Sequence, residues 1–152
     1  MYLDTSVLVK LFTAEVDSEF YGRMVEGHGI CSSMLAYTEV RAAMAAKERA
    51  KCLSPELRQR AWRSFEWNVT ELVIELSSMT DAILRRANWV IERAGQQVPL
   101  RSLDAIHLAT ADQLQNWPLV THDQRMREAA KLMGYPLADL PPPVPAPRKP
   151  TR

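Results

Sequence analysis

Cysteine and histidine are scarce in this sequence, which contains two cysteines, Cys31 and Cys52, and three histidines. Two thiols at this separation provide neither a disulfide framework nor the ligand spacing of a zinc motif. The histidines form no dense cluster with them, so the composition does not indicate a transition-metal site. Such low use of cysteine is typical of a reducing compartment, and we expect the protein to be cytoplasmic.

Long apolar runs and an excess of charge of one sign are also missing. No stretch reaches the ~20 apolar residues that a membrane-spanning helix needs, and the first residues lack the basic and then apolar pattern of a secretion signal. We therefore expect no membrane partner. Eighteen acidic residues nearly balance 19 basic ones, so any binding of nucleic acid depends on local patches of charge.

The sequence does contain enough apolar material for one domain. The 152 residues are 47% hydrophobic, which is ordinary for a globular domain. The last twelve residues, PPPVPAPRKPTR, hold six of the ten prolines and no pattern of a core-forming element. We therefore predict a folded domain over residues 1–140 and an extended, disordered tail over residues 141–152.

Short apolar runs alternate along the domain with segments of helical periodicity. The runs predict strands near Leu3, Ile30 and Val73 and over residues 119–121 and 135–140. Residues able to cap a helix precede the helical segments; the candidates are Thr5 or Ser6, Ser32 or Ser33, Ser54, Thr80 and Ser102. Strands separated by helices favour an α/β fold, and we predict a three-layer α/β/α sandwich with a central parallel sheet.

Three aspartates lie where predicted helices begin. Asp4 and Asp123 directly follow strands, and Asp104 lies in the first turn of another helix. Taken singly, each is better explained by capping, because an aspartate there accepts hydrogen bonds from free backbone amides and interacts favourably with the helix dipole. A functional explanation stays open, since the ligands of open parallel sheets collect outside the carboxyl ends of the strands.

Glu39 is harder to explain by local structure. Its helical neighbours at three and four residues are Leu35, Ala36, Ala42 and Ala43, with no lysine or arginine among them. A carboxylate in an apolar stripe is costly unless it is hydrogen-bonded or binds a cation. The alternative is a glutamate at the edge of the stripe that water solvates, and the pattern favours the functional explanation.

Considered together, these four acids point to a metal site. Carboxylates that converge on one point repel each other and become protonated unless a divalent cation neutralises them. Ligands that are all oxygens suit Mg²⁺ or Mn²⁺. Such an ion orients a phosphodiester, stabilises the charge that develops on it and activates bound water. The pattern therefore favours metal-assisted hydrolysis of phosphodiesters.

Four segments in this order, YLDTSVLVKLF, YTEVRAAM, SLDAIHLATA and LVTHDQRMREAAKLMGY, resemble the PIN-domain ribonucleases, in particular the VapC-type toxins of toxin–antitoxin pairs. The likeness extends to about Leu140 and leaves out the proline-rich end. It implies a PIN-like fold and an acidic metal site formed by Asp4, Glu39, Asp104 and Asp123. The hydroxyls of Thr5 or Ser6 and of Thr121 would support these acids.

The resemblance further implies an Mg²⁺- or Mn²⁺-dependent endoribonuclease, usually a homodimer, that a cognate antitoxin protein holds inactive. The acids would repel RNA, so nearby positive charge is needed, and Arg125 is our candidate for contact with substrate phosphates. A catalytically silent PIN-like module that binds nucleic acid or protein is the alternative function. A nuclease acting on DNA also stays open, because acidic metal sites cleave either backbone.

Two histidines near these acids have more than one interpretation. His107 follows Asp104 by three residues, and a buried or hydrogen-bonded histidine is favoured over a metal ligand because further nitrogen ligands are missing. His122, beside Asp123, contacts substrate or faces solvent.

Overall fold

The computed structural model describes residues 1–142, so positions 143–152 of the predicted tail lie outside the described residues. Its strands are β1 (Tyr2–Leu3), β2 (Ile30–Ser33), β3 (Ile74–Ser77) and β4 (Leu119–Val120). Its helices are α1 (Thr5–Phe12), α2 (Ser18–Val25), α3 (Leu35–Arg49), α4 (Pro55–Thr70), α5 (Asp81–Ala94), α6 (Ser102–Leu114) and α7 (Gln124–Met133). The strand order in the sheet is β3-β2-β1-β4, and all the pairs are parallel.

The side chains of successive strand residues point to opposite faces of the sheet, and each face has its own hydrophobic core. Tyr2 packs with residues of α5, α6 and α7, whereas the next residue, Leu3, packs with residues of α1 to α4. Leu119 and Val120 of β4 divide between the two cores in the same way. This is the period of two that a strand imposes on its side chains. The structure thus has helices on both faces of a parallel sheet, which confirms the predicted three-layer sandwich.

The carboxyl ends of β1 and β4 lie side by side at one edge of the sheet. The N–H of Asp4, just after β1, donates to the carbonyl of Val120 at 3.1 Å. Asp4 and Asp123 therefore begin α1 and α7 from the same edge. This adjacency decides where the candidate site lies, as the rule for open parallel sheets predicts.

Several predicted helix starts are confirmed and others are wrong. The hydroxyls of Ser54 and Thr80 cap α4 and α5 as predicted. The N-cap of α1 is Asp4, for which the sequence had also favoured capping, and not Thr5 or Ser6. Helix α3 has Met34 instead of Ser32 or Ser33, and α6 has Arg101 instead of Ser102. At α3 the difference is small, because the Ser33 hydroxyl still accepts from the N–H of Leu35 at 3.2 Å. At α6, the carboxylate of Asp104 accepts from the N–H of Arg101 at 3.1 Å, which lets the helix begin one residue earlier.

Two other elements differ from prediction. Helix α2 was not predicted; its N-cap, Asp17, makes no side-chain capping bond. The predicted strand over residues 135–140 is wrong, since this segment has only a single parallel bridge, between Leu137 and Leu119. Gly134 adopts a left-handed conformation with φ of 73° at the end of α7, and the turn brings the chain back to β4. No helix within residues 1–142 has the length and apolarity required to cross a lipid bilayer.

Candidate active site

Asp4 lies buried between the end of β1 and the start of α1, with 4% of its surface exposed. Its Oδ1 accepts from the Ser6 hydroxyl at 2.7 Å and from the N–H of Val7 at 3.3 Å. Its Oδ2 accepts from the Thr121 hydroxyl at 2.8 Å. Burial raises the pKa of Asp4, although these hydrogen bonds and the nearby His107 oppose the increase. Asp4 is thus both a helix cap and a carboxylate for which ionisation is costly.

Glu39 reaches the same region from the first half of α3. Its Oε2 accepts from the Thr5 hydroxyl at 2.5 Å and from Nε2 of His107 at 2.8 Å. Burial alone would raise the pKa of Glu39, but the hydrogen bonds from His107 and Thr5 lower it below its usual value. These two hydrogen bonds therefore favour the ionised form of Glu39.

His107 is buried, as the sequence favoured, with 3% of its surface exposed. Its Nδ1 lies 2.7 Å from the hydroxyl of Tyr2 on β1. Sequence reasoning found His107 but missed its partners, because Tyr2, Glu39 and His107 are far apart in the chain. The available signal was the apolar stripe around Glu39, which required a hydrogen-bond donor from another element.

Asp104 and Asp123 form the other side of the candidate site. Asp104 is half-buried, and burial together with the negative charge of Asp123 raises its pKa. Asp123 accepts from the backbone N–H groups of Arg125 and Met126 at 2.8 and 3.2 Å and pairs with the Arg125 guanidinium at 3.0 Å. Burial would raise the pKa of Asp123, but Arg125 holds it below its usual value. Arg125, the predicted substrate contact, is thus an internal partner of Asp123.

A network of short contacts joins Asp4 and Asp123 through neighbouring hydroxyls. Thr121 donates to Asp4 and accepts from the N–H of Asp123 at 3.1 Å, which connects these two acids through one hydroxyl. Ser6 donates to Asp4 and accepts from the N–H of His122 at 3.0 Å. The His122 ring is 47% exposed, and its Nδ1 lies 3.1 Å from the hydroxyl of Tyr21. The ring of His122 is therefore hydrogen-bonded and also faces solvent.

The donor chemistry of the site fits a hard divalent cation. All four predicted ligands are carboxylates, and hydroxyls surround two of them. Within residues 1–142, no three aspartate, glutamate, histidine or cysteine side chains are grouped as a ready-made metal site. The carboxylates of Asp4, Glu39 and Asp123 each accept hydrogen bonds from protein donors.

Comparison with known proteins identifies the family. The PIN domain family matches residues 1–132. The chain belongs to the PIN-domain family. Ribonuclease VapC46 of Mycobacterium tuberculosis H37Rv is 35% identical to this PIN domain over 139 residues, which cover 88% of this chain and 92% of the relative. Ribonuclease VapC45 of M. tuberculosis CDC 1551 is 34% identical over 140 residues, covering 88% and 91% respectively. These identities identify the chain as a PIN-domain protein of the VapC type.

A solved structure shares the fold of this PIN domain. A toxin–antitoxin complex from Klebsiella pneumoniae superposes with a TM-score of 0.55 and covers 82% of this chain and 87% of its own. The two sequences are 18% identical, so the likeness concerns the fold alone.

Proposed function

We propose that this PIN domain is a divalent-metal-dependent endoribonuclease and the toxin of a toxin–antitoxin pair. The observation that carries the proposal is the excess of negative charge at the site. Asp4, Glu39 and Asp104 receive hydrogen bonds from hydroxyls, an imidazole and a backbone amide, while Arg125 is paired with Asp123 alone. Carboxylates so placed need a further counter-ion to stay ionised together. The relatives named ribonuclease VapC support RNA as the substrate.

Asp4, Glu39, Asp104 and Asp123 would hold the ion, which we propose to be Mg²⁺ or Mn²⁺. Bound there, the ion would stabilise the negative charge that develops on the phosphodiester, and it would lower the pKa of a bound water. The chain's own residues prepare the site. Thr5, Ser6 and Thr121 donate hydrogen bonds that hold Glu39 and Asp4 in place.

Arg125 is our proposed contact for substrate phosphate. Its guanidinium is partly exposed and lies at the edge of the site. A substrate phosphate near Asp123 would compete with the Asp123 carboxylate for the Arg125 guanidinium. A cation bound to Asp123 would favour the transfer of Arg125 from the carboxylate to the phosphate. Substituting Arg125 by Gln should weaken RNA binding. The slope of the logarithm of the binding constant against the logarithm of the salt concentration should decrease by about the contribution of one phosphate contact. Filter binding at several salt concentrations measures this, and an unchanged slope would remove Arg125 from the interface.

The proposed partners beyond RNA are a cognate antitoxin and a second copy of the chain. The Klebsiella structure is described as a toxin–antitoxin complex, and we extend that assembly to this protein by proposal. We place the reaction in the cytoplasm. Sedimentation equilibrium of the purified chain tests the homodimer, and a monomer at micromolar concentration would contradict it.

RNA cleavage by the purified protein tests the proposed function. We expect cuts in structured RNA with Mg²⁺ or Mn²⁺, no cuts after chelation, and loss of cleavage in Asp104→Asn. The matched control is Asp81→Asn, which makes the same change at an exposed residue in the first turn of α5, outside the site, where Asp104→Asn changes the half-buried residue in the first turn of α6. Cleavage that survives chelation and Asp104→Asn would refute the proposed mechanism, and cleavage of DNA alone would refute the substrate.

The second candidate is a catalytically silent PIN-like module that binds nucleic acid or protein. The pairing of Asp123 with Arg125 favours it, because an internal arginine neutralises a proposed metal ligand. This candidate predicts RNA binding without cleavage, whichever divalent cation is present.

A further inference from the structure

We infer that His107 is a positioning residue that fixes the carboxylate of Glu39, and that Tyr2 fixes His107 in turn. The inference rests on the proposed function, in which Glu39 is a ligand of the divalent ion. Neither His107 nor Tyr2 belongs to the proposed ligand set. Their role is to determine which oxygen of Glu39 is available and where it points.

The contacts define the role of each atom in this chain. A carboxylate only accepts hydrogen bonds, so Nε2 of His107 carries the proton in the 2.8 Å contact with Oε2 of Glu39. In the neutral ring, Nδ1 must then accept, and its partner at 2.7 Å is the hydroxyl of Tyr2. Tyr2 is fully buried, and its phenol hydroxyl is the donor that this contact requires.

These contacts leave the two oxygens of Glu39 in different situations. His107 and Thr5 both donate to Oε2. No donor among residues 1–142 contacts Oε1. The carboxylate of Glu39 is thus held through Oε2, and Oε1 is available to bind the ion. A glutamate side chain that is already ordered loses less conformational entropy when it binds an ion.

The three residues come from three different elements. Tyr2 belongs to β1, Glu39 to α3 and His107 to α6. Helix α3 contributes to the core on one face of the sheet and α6 to the core on the other, so His107 connects the two layers beside the candidate site. Helix α6 therefore supplies both Asp104, in its first turn, and the residue that orients Glu39, one turn later.

Four variants test the inference: His107→Leu, His107→Gln, Tyr2→Phe and, as control, Tyr37→Phe. Leucine removes the donor, whereas glutamine keeps an N–H that can reach Glu39. Tyr2→Phe removes only the hydroxyl that faces Nδ1. Tyr37→Phe makes the same change on α3, where the hydroxyl donates to Glu66 at 2.9 Å and contacts none of the four acids.

Calorimetric titration with Mn²⁺ and steady-state cleavage of RNA give the main readouts. Loss of a residue that orients a ligand typically weakens metal binding 10- to 100-fold, so we expect about that loss in His107→Leu and partial rescue in His107→Gln. Tyr2→Phe should weaken Mn²⁺ binding several-fold, in the same direction. Tyr37→Phe should bind Mn²⁺ and cleave as the wild type does. In the affected variants kcat should fall at saturating metal while KM for RNA stays constant.

A readout independent of metal comes from long-range ¹H–¹⁵N spectra of the histidine rings. We expect the Nε2–H tautomer for His107 in the wild-type protein and loss of that single form in Tyr2→Phe. The Nδ1–H tautomer in the wild type would overturn the inference. So would Mn²⁺ affinity that is unchanged in folded His107→Leu; if this variant does not fold, unchanged affinity in both His107→Gln and Tyr2→Phe overturns it. Failure of the wild type to bind Mn²⁺ or cleave RNA would instead overturn the proposed function.

Discussion

Each acid of the candidate site also has a structural task, and the two tasks impose different demands. Asp4 and Asp123 cap helices, Asp104 accepts the backbone N–H of Arg101, and Glu39 bonds with His107 and Thr5. A neutral amide performs most of a capping task, whereas cation binding needs the charge. Substitutions of aspartate by asparagine therefore separate the two tasks.

Asp4 should make the free energy of unfolding depend on pH. Burial raises its pKa, so its contribution to stability is fully present below the ordinary aspartate pKa of about 3.9 and is lost as the pH rises through the raised value. Asp4→Asn has no such loss. We expect the variant to gain stability relative to the wild type as the pH rises from about 4 to about 7 in the absence of divalent cation.

Urea denaturation at a series of pH values in the presence of a chelator measures this difference. Asp81→Asn, which removes an exposed carboxylate, is the control and should show no such trend. A constant difference between Asp4→Asn and the wild type across the range would contradict the prediction.

Among the elements, the starts of three helices determine the site. Helices α1 and α7 follow the adjacent strands β1 and β4 after one and three residues, and α6 contributes Asp104 and His107. The N-terminal end of a helix carries partial positive charge and free N–H groups, which stabilise carboxylates there. The geometry of these helix starts thus concentrates acids that would otherwise repel each other.

Substitutions of Asp123 separate its capping of α7 from its proposed binding of the cation. Asp123→Asn keeps an oxygen for the N–H groups of Arg125 and Met126, so we expect stability close to wild type and cleavage reduced by about 10- to 100-fold. Asp123→Ala should lose cleavage and also about 1 kcal/mol of stability.

Ser54→Ala, at the start of α4 and outside the site, is the matched control for the lost cap. It should lose about 1 kcal/mol and keep full cleavage. Thermal melts together with RNA cleavage assays distinguish these cases. Full cleavage by Asp123→Asn would show that the charge of Asp123 is not required.

At the scale of the whole molecule, the hydrophobic cores of the described residues 1–142 extend to Ala138, just before the proline-rich end. The family match covers residues 1–132, and the last core residue, Ala138, contributes to the core that contains α1 to α4. Arg127 ties this segment to α7, since its guanidinium donates to the carbonyl of Ala138 at 3.0 Å. We therefore predict that a chain ending at Pro142 melts within about 2 °C of the full-length protein. Calorimetry of both chains checks this, and a larger decrease would assign residues 143–152 a role in stability.

The sequence by itself was sufficient for the layered fold and for the family. Alternating strands and helices are local patterns, and four acids in segments that resemble one family need no coordinates to be recognised. Local patterns also identified the caps Ser54 and Thr80, because a capping hydroxyl acts within its own turn. Helix α2 was not predicted, although an aspartate, Asp17, lies at its start.

Only the tertiary structure decided how the acids are partnered. The bonds of Glu39 to His107, of His107 to Tyr2 and of Asp4 to Thr121 each join residues from different elements. Sequence spacing carries no information on such contacts, since they depend on how the two helical layers pack on the sheet. The sequence therefore indicated only that the carboxylate of Glu39 needs a hydrogen-bond partner. The packing of α6 against the sheet determines that this partner is the imidazole of His107.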